Sequence, residues 1–142
     1  MKFEFSLEPV LKVRKHEEKI QKQKLAEKLS EKKELSEQKQ FLQQKLKTHL
    51  MQTDREDYNN VHDLQRHRQY INEMHQKLDD LNGSLKVIEN AINQQRDKLA
   101  EVHKKRHIIE KIKDEERELF LEKVSRKQRK VMDEVAMQTF SK

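Results

Sequence analysis

The sequence predicts an all-α protein: a long antiparallel two-helix coiled coil, a helical hairpin, with a C-terminal helical overhang. Three observations predict it. A leucine-type heptad runs through Leu64, Ile71, Met74, Leu78, Leu81, Leu85, Ile88, Ile92, Leu99, Val102 and Ile109, interrupted by His67, Gln95 and Arg106. Alternating steps of three and four keep one narrow stripe against a partner helix. The 142 residues include one Gly and one Pro, which leaves almost nowhere for tight turns. Charged residues make up 41% and hydrophobic residues 32%, too few apolar side chains to fill a globular interior of this length. The apolar residues nevertheless recur at helical spacing, which separates this chain from a disordered one.

The elements follow in order. Ser6 precedes the first apolar turn, and Pro9 falls inside that turn, where its missing N–H does no harm. A first helix is expected over about 7–51. Leu7, Leu11, Leu25, Leu35, Leu42 and Leu46 fit one heptad frame, which also collects Arg14, Glu18, Gln21, Lys28, Lys32 and Lys39. Ile20, Leu29 and Leu50 sit just off it. So thin a stripe would be marginal alone and needs the stronger one downstream. Residues of about 52–60, rich in Asp and Asn, form the expected turn, with Thr53 and Glu56 matching a capping box.

The second helix is expected over about 61–136, with Gly83 off the seam and tolerated. The whole reads as one elongated domain, 1–142. A bend about residue 56 would set Leu42 opposite Tyr70–Ile71, Leu25 near Val87–Ile88 and Leu7 near Lys105. The paired region would then span roughly 65–70 Å, and the second helix would overshoot by about thirty residues, roughly 45 Å. Beyond Ile109 the heptad falters, while Ile112, Leu119, Phe120, Val124, Val131 and Val135 keep apolar character. An outside partner is expected on this overhang.

Charge is mixed along the chain. Net charge is +6, yet 26 acidic residues are interspersed with 32 basic ones. Pairs such as Glu18–Lys22 and Glu101–Lys105 suit a solvated helix face. The overhang is polarised, with Asp114, Glu115, Glu116, Glu118 and Glu122 ahead of Lys123, Arg126, Lys127, Arg129 and Lys130. Either this suits the helix dipole and solubility, or it is a docking surface for an oppositely charged ring or groove.

Most chemistry is excluded. One glycine cannot make a phosphate-cradling loop, no Gly-x-Ser-x-Gly elbow is present, and carboxylates on wet helix faces have nothing to tune them. No enzyme and no cofactor are expected. His103 and His107 stand four apart but enclose Lys104, Lys105 and Arg106, a setting hostile to a divalent cation; no metal site is expected. Without cysteine there is no disulfide framework or thiolate site. The basic runs lack interleaved aromatics, so nucleic acid is not expected as a partner. The start has no signal-like apolar run and no segment reaches ~20 apolar residues, which makes a cytoplasmic location the expectation. Phe41 and Tyr70, each one residue off the seam, either broaden it or form a small patch that anchors a partner.

The opening Phe3-x-Phe5-x-Leu7-Glu8-x-Val10-Leu11-x-x-Arg14-x-x-x-Glu18 resembles the start of the FliJ family, small coiled-coil components of the bacterial flagellar type III export apparatus. Length, early helix start, polar turn and long basic second helix resemble that family too. The resemblance implies a coiled coil similar to the central stalk of rotary ATPases. It implies as partners the hexameric flagellar export ATPase, the cytoplasmic domain of the export-gate membrane protein, and export chaperones, with the chain held peripherally at the inner membrane face through them. The terminal end is then the ATPase-binding candidate: Leu7, Leu11, Arg14, Leu119, Phe120, Arg126, Lys127, Arg129 and Lys130. The segment Gln69-Tyr70-Ile71-Asn72-Glu73-Met74 resembles the family's second-helix portion of the gate site, giving Tyr70 and Met74 as gate-binding candidates, with Phe41 added by its place near the turn. Two alternatives stand beside it: a rival non-flagellar scaffold, a parallel homodimer seamed through Leu64–Ile109, and, of the same mechanical class, the equivalent stalk of a virulence secretion system.

Overall fold

The structure, a computed structural model, describes residues 2–53 and 61–140. It is all-α: helix α1, Glu8–Thr53, and helix α2, Val61–Phe140, with no strand among the described residues. Of the expected turn, Gln52 and Thr53 still belong to α1; the rest, with the Thr53–Glu56 capping box and the bend at Glu56, lies outside the described residues. A turn at Ser6–Leu7 opens α1. There the Glu8 N–H donates to the Phe5 carbonyl at 3.1 Å and the Leu11 N–H to the Leu7 carbonyl at 2.9 Å. Pro9 occupies the first turn, where its lack of a donor costs no intrahelical bond.

The helices pack against each other in two units, Met1–Ile20 with Leu99–Lys142, and Gln21–Lys98. In the first, Glu8 meets Lys113, Lys15 meets Glu110, and Glu18 meets Arg106. In the second, Gln21 meets Gln95, Lys32 meets Glu89, and His49 meets His67. Rising numbers on α1 meet falling numbers on α2, so the pairing is antiparallel in each.

Both heptad frames form the interface. On α1 the frame positions from Leu11 to Leu46 are all buried or half-buried, the polar ones included, and on α2 the same holds from His67 to Ile109. Leu11, Leu46, Met74, Leu78, Ile88 and Ile92 are the buried aliphatic and thioether side chains, with Phe5 beside them. In the second unit Leu46, Met74 and Leu78 form a cluster against which Leu42, Tyr70 and Ile71 pack.

Polar interruptions of one stripe meet those of the other. The Gln95 side-chain amide, 2% exposed, donates to the Gln21 carbonyl at 3.2 Å and to the Gln21 side chain, and Lys28 reaches Gln95 at 3.5 Å. Among the described residues no buried side-chain nitrogen or oxygen lacks a partner, which is what a polar group inside a seam requires. A parallel homodimer would instead bring Arg106 to Arg106 and leave Glu18 without its guanidinium.

Three expectations are corrected. The register differs by about one heptad: Glu8 bonds Lys113, so Leu7 does not lie near Lys105, and Leu25 lies between Gln21 and Lys28, which both bond Gln95. A slip of one heptad returns both helices to the same seam, so spacing alone cannot choose the register, whereas the polar pairs can. The overhang is consequently shorter. The Phe3 ring tilts against that of Phe120 with centroids 5.6 Å apart, and the part of α2 left uncovered begins at Ser125; its roughly sixteen described residues rise about 24 Å. Nor does the heptad stop at Ile109, because Lys113, Glu116 and Phe120 remain half-buried on the same frame, with Val124 half-buried one residue off it.

Candidate interaction surfaces

Within the first unit, a charged network holds α1 on α2. Glu18, 4% exposed, accepts from the Arg106 guanidinium and contacts His103 Nδ1 at 3.1 Å. Arg106 also donates to Glu110 at 2.6 Å and lies 3.1 Å from His103 Nδ1. Its hydrogen bond to Glu18 raises its pKa further, so it stays charged at any ordinary pH. Closer to the start of α1, Glu8 accepts from Lys113 at 2.9 Å, and that hydrogen bond holds its carboxyl below the usual range.

The candidates for ATPase contact divide by exposure. Leu11 is 1% exposed and belongs to the seam; its packing role removes it from any surface. Arg14 is half-buried and paired with Glu17 at 3.2 Å, and Phe120 is half-buried against Phe3. Leu7 and Leu119 are exposed, as are Arg126, Lys127, Arg129 and Lys130. Phe120 and Val124 floor a shallow groove of about 210 Å³ rimmed by Lys123, Arg126 and Lys127. From Ser125 to Phe140 every residue is exposed, including Val131, Met132, Val135, Met137 and Phe140. So much apolar surface on a helix stretch that α1 does not cover marks a contact region.

The second unit carries another surface. Phe41 is 65% exposed, with the Lys45 ammonium 5.8 Å from its ring centre. Beside it His49 stacks on His67, centroids 4.9 Å apart, and tilts against Tyr70 at 4.3 Å. The two imidazoles also approach through His49 Nε2 and His67 Nδ1, 3.0 Å apart. Phe41, Lys45, Thr48, His49 and Tyr70 line an open groove of about 430 Å³. Tyr70 and Phe41 are therefore brought together, whereas Met74, 4% exposed, lies in the core and is withdrawn from the contact set. His49 was missed. It extends the frame of Leu42 and Leu46 by three residues and faces His67, a seam interruption already visible in the sequence. Phe3 and Phe5 were read as a family pattern; in the structure they cap the seam against α2.

His103 and His107 stack with centroids 6.3 Å apart, but among the described residues no three His, Cys, Asp or Glu side chains group as metal ligands. Among the same residues no helix is long and apolar enough to cross a membrane.

Paired long helices joined through alternating apolar and polar rungs, with exposed apolar and cationic surface beyond the pairing, define a coiled-coil interaction protein. The family model of the flagellar FliJ protein matches residues 2–142, and the chain belongs to that family. It is thus a component of the flagellar type III export apparatus. Neither a curated protein nor a solved structure matches the chain.

Proposed function

We propose that this chain is the stalk-like coiled coil of the flagellar export apparatus, docking on the hexameric export ATPase through its first unit and on the export gate through its second. It acts peripherally at the cytoplasmic face of the membrane through these partners, and it escorts export chaperones. The observation that supports the ATPase reading is the uncovered stretch after Val124, where exposed apolar residues stand with Arg126, Lys127, Arg129 and Lys130. A helix end of this kind can present both apolar and cationic side chains to an acidic-lined ring. The Phe41–Tyr70 groove supports the gate reading, because an exposed aromatic beside a concave surface is the usual anchor of a protein contact.

The chain ended at Val124 tests the assignment. It keeps the Phe3–Phe120 contact and both helix pairings, so helicity should persist while capture of the purified ATPase is lost. Undiminished capture would refute it. For the gate, Phe41→Ala with Tyr70→Ala should weaken binding of the gate's cytoplasmic domain without affecting ATPase capture.

A further inference from the structure

Past Phe120 the three-four repeat resumes after a skip of one residue, through Leu121, Val124, Gln128, Val131 and Val135. At about 100° per residue this stripe is centred roughly 60° round the helix from Phe120, so it stays on the side of α2 that α1 covers nearer the start. Leu121, Val131 and Val135 are each more than half exposed, and Gln128 is exposed too. Ser125, Met132 and Thr139 lie along one edge of the stripe, Lys127 and Glu134 along the other. Arg126, Arg129, Lys130 and Asp133 fall on the opposite face of the helix.

We propose that the overhangs of two copies of this chain pair as an antiparallel coiled coil, residues 121–138 of one against 121–138 of the other. A two-in-seven stripe is the width that takes a single helix. Orientation follows from what already occupies this side. There α1 packs up to the Phe3–Phe120 contact, so a parallel partner would run its own α2 into α1. An antiparallel partner leads away past the free end. Register follows from length and charge. When the whole stripe overlaps, Val124 meets the partner's Val135 and Gln128 meets the partner's Val131. Along the edge Lys127 then faces the partner's Glu134, and Glu134 faces the partner's Lys127. A slip of one heptad in one direction sets Lys127 against Lys127, and in the other Glu134 against Glu134. This two-fold match selects a second copy, since a stripe built for an unlike partner has no need to fit its own sequence read in reverse. With a short overlap and Gln128 near its middle, the pairing is weak and reversible. The inference does not rest on the ATPase reading. It does mean that a paired chain has that face covered, so that dimer and ATPase complex exclude each other.

The test is sedimentation equilibrium of the full-length chain with no other protein present. Association should depend on concentration and stop at a dimer. Lys127→Glu and Glu134→Lys should each weaken it by about tenfold, because each sets two like-charged pairs across the seam in place of two opposite ones. An equimolar mixture of these two variants should associate as the parent does, since opposite charges then face each other again on both copies. Val131→Asp with Val135→Asp should leave a monomer. All four positions are exposed, so helicity by circular dichroism should match the parent chain. A parent chain that stays monomeric up to millimolar concentration, single charge variants that dimerise like the parent, or a mixture no tighter than its components would overturn the proposal. A dimer formed by the chain ended at Val124 would overturn it as well.

Discussion

Replacing Arg106 with leucine would take the guanidinium from the Glu18 carboxylate buried inside the first unit. Glu18 is 4% exposed, and the Arg106 side chain only 19%. The histidine it also contacts, His103, is itself more than half exposed, at 53%. Removing one partner of a buried ion pair costs about 3–5 kcal/mol, because a desolvated charge loses its compensation. His103 Nδ1, 3.1 Å away, offsets part of that loss, so a cost near the lower bound, about 3 kcal/mol, is expected. Pairing Glu18→Leu with Arg106→Leu removes both charges and should recover most of the stability. It should also weaken the preference for one register, since a leucine rung is compatible with a slip of one heptad. Urea unfolding followed by circular dichroism at 222 nm measures both variants. An Arg106→Leu loss below about 0.5 kcal/mol, the range of ordinary surface changes, would refute the reasoning. So would a double variant no more stable than the single one.

Three further outcomes follow from the same structure. Glu8 has its folded-state pKa lowered by Lys113, so its contribution is present above its ordinary value of 4.5 and is lost as pH falls through the lower folded value; Glu8→Gln should remove that part of the acid dependence in melts recorded across the acidic range. Gly83 lies mid-helix, exposed, with nothing within 4 Å of an added Cβ, and Gly83→Ala should raise stability by about 1 kcal/mol; a lower melting temperature would contradict this. Leu11→Ala should cost about 2–5 kcal/mol whereas Leu119→Ala, at an exposed site, should stay within about 0.5 kcal/mol, and similar losses would show that the seam is misplaced.

The two heptad frames were legible from spacing alone, and the helices follow them residue by residue from Leu11 to Leu46 and from His67 to Ile109. What the frames concealed was the meaning of their polar members. Glu18, Gln21, Lys28 and Lys32 looked like weaknesses in a thin stripe, yet each has a counterpart on α2. Hydrophobic periodicity weighs each helix by itself, and complementarity becomes visible only once the register is known. The register in turn could not be read from a bend placed by composition in the polar segment around Glu56. The contact candidates divide for a related reason. Leu11 and Met74 sit on the same frames that form the seam, and that position buries them. Leu119, Arg126, Lys127, Arg129 and Lys130 lie off it or beyond the reach of α1, and remain exposed.

Because the chain has no native cysteine, spin labels can be placed at will, and one distance tests the pairing most directly. Labels at Glu31 and Asn90, exposed neighbours of the Lys32–Glu89 pair, flank two helices whose axes should lie about 8–10 Å apart. Pulsed dipolar spectroscopy should give a single short distance, unchanged when labelled chains are diluted with unlabelled ones. A distance that disappears on dilution would show that the helices meet between chains, and the account would fail.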